Sequence, residues 1–105
     1  METKPLIQDL NHSYELGLRD VPTIGELEIL LAERIDRMIR EDFGTLVQLL
    51  YRVDVNESKL RQLLEENSTE DAGTLIARLI LERQWQKIQT RRQYRQDAAG
   101  DEERW

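Results

Sequence analysis

The sequence predicts an all-α fold, in which two long antiparallel helices joined by a short helix form a small helical bundle with an N-terminal arm. Three observations lead there. Apolar residues recur at three- and four-residue steps from Ile24 to Val53 and again from Ala72 to Ile88, the spacing that lines one face of a helix. Residues that cap helices stand where each run begins. No stretch alternates strongly enough with a two-residue period to compete as a strand.

Residues 1–22 read as an N-terminal arm, weakly structured. Pro5 suits a first helical turn, and Leu6, Ile7 and Leu10 offer a short apolar face before Gly17 and Pro22 interrupt. The helical domain is placed at 23–96. Thr23 followed by Glu26 forms a capping box, and Ile24, Leu27, Leu31, Ile35, Met38 and Ile39 then share one stripe, which continues through Phe43, Leu46, Val47, Leu50 and Val53. A lone glycine costs a helix about 1 kcal/mol relative to alanine, so one long helix over 24–53, bent at Gly44, is the first expectation and two helices the alternative. Asn56 caps a short helix of about ten residues, stapled by Val55 and Leu60 and too short to stand alone. Asn67 closes it, and Ser68 caps the last helix, which carries Leu75, Ile76, Leu79 and Ile80 on one face and Ala77, Leu81, Trp85 and Ile88 on another. That helix is expected to end near residue 95, with 97–105 a disordered acidic tail. Rods of about 30 and 28 residues each span roughly 42–45 Å and can pair along their full length, bringing Trp85 and Ile88 to Leu27 and Leu31.

A chain of 105 residues is the size of one domain. Charged residues make up 34% of it, against about 25% in a typical domain, which suits helices with long exposed polar faces. The net charge of −6 disfavours wholesale binding to nucleic acid or anionic lipid. There is no cysteine, so disulfides, thiolate metal sites and cysteine nucleophiles are excluded. No apolar run approaches the roughly 20 residues of a membrane span, and no secretory leader is recognisable. A cytoplasmic, membrane-free protein is expected.

Catalytic chemistry finds little to work with. Asp9 and His12, the only histidine, would share a helix face, yet catalytic zinc usually takes three protein ligands. The acidic pairs Glu65-Glu66, Glu70-Asp71 and Glu102-Glu103 fall at helix ends or in the tail, without the burial that tunes a carboxylate for acid–base work. Glycines at 17, 25, 44, 73 and 100 form no phosphate-cradling loop. No enzyme activity, cofactor or metal is therefore expected.

Two features point to partners. Residues 83–96 hold Arg83, Lys87, Arg91, Arg92 and Arg95 without an acid. With Trp85 and Tyr94 among them, Trp85, Arg91, Arg92 and Arg95 are candidate contacts to a partner or to phosphate; complementing the helix dipole is the simpler role. The second feature is surplus apolar surface. Ile29, Leu30 and Trp105 lie off the main stripes, and two long helices cannot cover both faces of the last one. An interaction module that self-associates, as a homodimer, is the favoured reading, with the N-terminal arm as the other possible cover. A nucleic-acid or phosphate binder is the alternative.

At Leu49-Leu50-Tyr51-Arg52-Val53-Asp54-Val55-Asn56-Glu57 and Leu81-Glu82-Arg83-Gln84 the chain resembles a group of short, uncharacterised bacterial all-helical proteins. The resemblance covers about residues 24–96. It implies a shared helical body with Tyr51, Arg52 and Asp54 fixing a turn, and it brings no activity, cofactor or ligand.

Overall fold

The computed structural model describes residues 1–66 and 71–103, with side chains through residue 96. Five helices are present among them: α1 (Thr3–Tyr14), α2 (Ile24–Glu41), α3 (Phe43–Val53), α4 (Glu57–Glu66) and α5 (Ala72–Glu103). The fold is an all-α five-helix bundle in which the long helices α2 and α5 pack together. Their direction is antiparallel, because Gly73 lies against Ala32 and Asp36 while Arg78 reaches back to Glu28.

The capping box of α2 is present: the Glu26 N–H donates to Thr23 Oγ1 at 3.2 Å, and the Thr23 hydroxyl donates to the Glu26 carboxylate at 3.0 Å. Leu27, Leu31, Ala32 and Ile35 then face inward. The single helix expected over 24–53 is broken in two, and the break falls at Asp42 rather than Gly44. Asp42 leaves the helical region, with φ −153° and ψ 68°. Its carboxylate accepts from the Thr45 N–H at 3.2 Å and from the Thr45 hydroxyl at 2.6 Å. Aspartate competes with helical backbone in this way wherever it can cap the next turn.

Residues 1–22 depart furthest from expectation. They are no weakly structured arm: α1 starts two residues before Pro5, and Leu6, Ile7 and Leu10 are all buried. Behind α1 the chain turns at Glu15 and Gly17, both with positive φ. The Asn11 side chain then clamps Leu18, accepting from its N–H at 2.7 Å and donating to its carbonyl at 2.8 Å. Leu16, Leu18 and Val21 are buried along this segment. Three apolar residues in one short stretch give too little periodicity to announce a helix; docking on α5 supplies the stability the local sequence lacks.

Asn56 caps α4 as expected, accepting from the Lys59 N–H at 2.9 Å. Val55 and Leu60 both rest on the core. α4 has no fully buried residue and is tied to α5 by the Lys59–Glu82 ion pair. The expected caps Asn67 and Ser68 lie outside the described residues; Asp71 accepts from the Thr74 N–H at the start of α5. Leu75, Ile76, Ala77, Leu79, Ile80 and Leu81 are all buried, as befits a central helix apolar around its circumference. Ile88 lies beside Pro5 and Asp9 of α1, so α1 meets the far half of α5. The α5 backbone is helical to Glu103. The helix thus passes the end expected near residue 95, while residues 104–105 and the side chains of 97–103 lie outside what the structure describes.

Gly73 marks the tightest approach. A Cβ there would stand 2.7 Å from Asp36 Cγ and 3.0 Å from the Ala32 carbonyl oxygen, whereas one at Gly25 would meet nothing within 4 Å. Gly73→Ala is therefore expected to destabilise the fold by about 1–3 kcal/mol through overpacking. Gly25→Ala should raise stability by up to about 1 kcal/mol. Urea unfolding of the two variants checks the pair.

Asp36, beside Gly73, has its pKa raised, first by burial and then by the nearby Asp71 carboxylate. Because the folded value lies above the ordinary 3.8, protonated Asp36 supports the fold below that pH. This support is lost as pH rises through the folded value. Asp36→Asn should accordingly melt higher than the parent at neutral pH, with the gap closing in acid. A gap that does not change with pH contradicts this account.

Candidate interaction surface

The basic end of α5 is bound up with α1. Arg92 forms a two-pronged ion pair with Glu2, at 3.1 and 3.0 Å, and its guanidinium lies 5.4 Å over the Trp85 ring. The arginine fork holds the Glu2 carboxyl below its usual range. Arg91 pairs with Asp9. Arg83 donates to both the carbonyl and the carboxylate of Asp54, and Lys87 donates to the Tyr14 hydroxyl and the Arg52 carbonyl. Arg95 is exposed and lines a cleft with Pro5, Asp9 and Ile88. Of the four candidate contacts, Trp85, Arg91 and Arg92 thus come together at the seam between α1 and α5, with carboxylates already opposite two of them.

Gln84, a buried polar residue, anchors that seam. Its Oε1 accepts from the Tyr14 hydroxyl at 3.0 Å, and its Nε2 donates to Asp9 at 3.1 Å. Over the same Tyr14 ring stacks Arg52 of α3, which also donates to the Ser13 carbonyl. Asp54 closes α3 in the left-handed region with φ 66°. Asp54 thus shapes the turn after α3, whereas the Arg52 side chain reaches across to α1. Tyr51, expected to share that task, is 86% exposed.

The surplus apolar surface lies elsewhere than the sequence suggests. Both faces of α5 are covered over Leu75–Leu81, and Leu30 rests on the core. Ile29 is exposed by itself, and Trp105 lies outside the described residues. The uncovered apolar surface is on α3. Leu46, Leu49 and Val53 face inward, and Phe43, Val47 and Tyr51, at four-residue steps, are 61%, 50% and 86% exposed. Beside this stripe is a groove of about 360 Å³ between α3 and α4, lined by Val47, Leu50, Tyr51, Val55, Glu57 and Leu60. Leu64 of α4 is exposed nearby along the chain. Two signals in the sequence mark the site: Asp42 with Thr45 as an alternative cap, and the stretch 43–51, which holds no charged residue in a highly charged chain.

His12 is exposed at the end of α1. Among the described residues no three His, Cys, Asp or Glu side chains are grouped to hold a metal ion, and no helix is long and apolar enough to cross a membrane. No family model, curated protein or solved structure matches the chain.

The Gln84 network makes a stability prediction. Asp9→Ala leaves the buried amide without an acceptor and frees Arg91, which should cost about 1–3 kcal/mol. Glu2→Ala, which removes an exposed pair, should cost no more than about 1 kcal/mol. Chemical denaturation of the two variants is the check, and equal losses would contradict the ranking.

Proposed function

We propose that the chain is a cytoplasmic, non-catalytic protein–protein interaction module that self-associates through the exposed face of α3 and the adjoining α3–α4 groove. The observation that carries the reading is the Phe43, Val47 and Tyr51 stripe. Interface cores are enriched in aromatics and depleted of charge relative to the remaining surface, and a contiguous exposed apolar patch on a small domain marks a contact site. The stripe meets both criteria, and α3 is anchored at its two ends by the Asp42 cap and the Arg52 and Asp54 contacts. A rigid face loses little entropy on binding. The resemblance to short bacterial helical proteins adds to the proposal a shared helical body and no activity.

The alternative, phosphate or nucleic-acid binding at the basic end of α5, would require Arg91 and Arg92 to leave Asp9 and Glu2. It has less support than the apolar face.

Sedimentation of the full chain over a range of concentrations tests the proposal. The mass should climb from 12.5 kDa towards twice that value. Val47→Asp should hold the chain at the monomer mass with its helical circular dichroism unchanged, because Val47 is half exposed in the single chain. A parent chain that stays monomeric throughout rejects self-association.

A further inference from the structure

We propose that the cleft between the C-terminal turn of α1 and the far half of α5 binds the phosphate group of a small molecule, a role separate from self-association through α3. The cleft encloses about 430 Å³, with Ser13 and Tyr14 on one side and Arg83, Lys87, Thr90 and Arg91 on the other. Small-molecule sites commonly measure about 300–1,000 Å³. Arg83, Lys87 and Arg91 stand at four-residue steps and so share a face of α5. Lys87, at the centre of this row, is half-buried. Its amino group donates to the Tyr14 hydroxyl at 3.3 Å and to the Arg52 carbonyl at 3.5 Å. Both contacts are longer than an ordinary N–H···O bond, and both go to neutral oxygens. Among the described residues Lys87 has no carboxylate partner, although the chain holds 21 acids to 15 bases. An ammonium has three donors, so one is left for a ligand. The hydroxyls of Ser13 and Thr90, both on exposed residues, add two more.

The charge balance at the cleft is positive. Arg52 of α3, stacked over Tyr14, joins the three bases of α5. The acids that meet this group are Asp9 on Arg91 and Asp54 on Arg83; Glu82, next along α5, is turned to Lys59. Four bases against two carboxylates leave a positive excess, of which the carbonyl ends of α1 and α3 take up about half a charge each. No ion pair has to open for a ligand to bind. Asp9 engages one Nη of Arg91, and Asp54 engages the Nε and one Nη of Arg83, whereas a guanidinium carries five N–H donors. A phosphomonoester presents three acceptor oxygens and close to two negative charges, which suits donors converging from a lysine, two arginines and two hydroxyls. The two acids also limit what can bind. Arg83 and Arg91 are about 12 Å apart along α5, and each end of that row carries a carboxylate. A nucleic-acid strand would run into Asp9 or Asp54 on leaving the cleft, so the site takes a single phosphate group.

Inorganic phosphate and glycerol phosphate are the probes, each titrated into the full chain against sodium chloride at matched ionic strength. The amide resonances of Ser13, Thr90 and Arg91 should shift and saturate with phosphate and stay in place with chloride. The probe that saturates at the lower concentration names the source of the group. Lys87→Met should weaken binding about tenfold or more, the loss expected for a hydrogen bond between charged groups. Thr90→Val, at an exposed position, should weaken it by a smaller factor and leave the melting temperature unchanged, which separates lost binding from a loosened fold. Shifts that follow chloride as closely as phosphate overturn the proposal. So does binding that neither substitution weakens. A single-stranded oligonucleotide that binds far more tightly than either probe also overturns it, in favour of an extended nucleic-acid face.

Discussion

The close approach of α5 to α2 at Gly73 is the contact on which the remaining packing depends. With no side chain at that position, the α5 backbone settles against the Ala32 carbonyl and the Asp36 carboxylate. From there the antiparallel register follows: Leu27, Leu31 and Ile35 of α2 and Ile76, Ala77 and Ile80 of α5 fall into one core, and Arg78 meets Glu28 across the seam. Interiors packed at crystal-like density transmit such a constraint, because a shift of one helix displaces every side chain along the contact. The arrangement carries a price: Asp36 is held where burial and Asp71 both disfavour its charge.

α5 outlasts α2, and its surplus length is what α1 exists to cover. Leu6, Ile7 and Leu10 fill the apolar part of that cover. The polar part is met by Asp9, Tyr14 and Gln84, and the outer rim by Glu2 with Arg92. Within the cluster of bases late in the chain, Arg91 and Arg92 are met by two acids early in it, Asp9 and Glu2. The two are separated in sequence by |i−j| of 82 for Asp9 and Arg91 and 90 for Glu2 and Arg92, so only the folded chain brings them together. Exposed pairs of this kind contribute little to stability, but each sets the position of α1 around a buried amide that must be satisfied.

The break at Asp42 separates α2 from α3. At about 100° per residue Leu46, Leu49 and Val53 fall on the line that Leu27, Leu31 and Ile35 begin, whereas Phe43, Val47 and Tyr51 lie well away from it. That inward line passes across the break from α2 to α3, and Phe43, Val47 and Tyr51 are left outside. One carboxylate, accepting two hydrogen bonds from Thr45, caps the start of α3.

Local signals in the residues themselves determined the helical class, the Thr23 and Asn56 caps and the inward stripe of α2. Each of these depends on neighbours within about four positions, the range over which helical periodicity and capping act. Three outcomes lay beyond that range. Residues 3–14 became a helix because α5 was there to bury them, the bases of α5 were spent on acids of α1, and the exposed face moved from α5 to α3. All three are decided by contacts between distant segments, whose energies enter only once the chain has closed on itself.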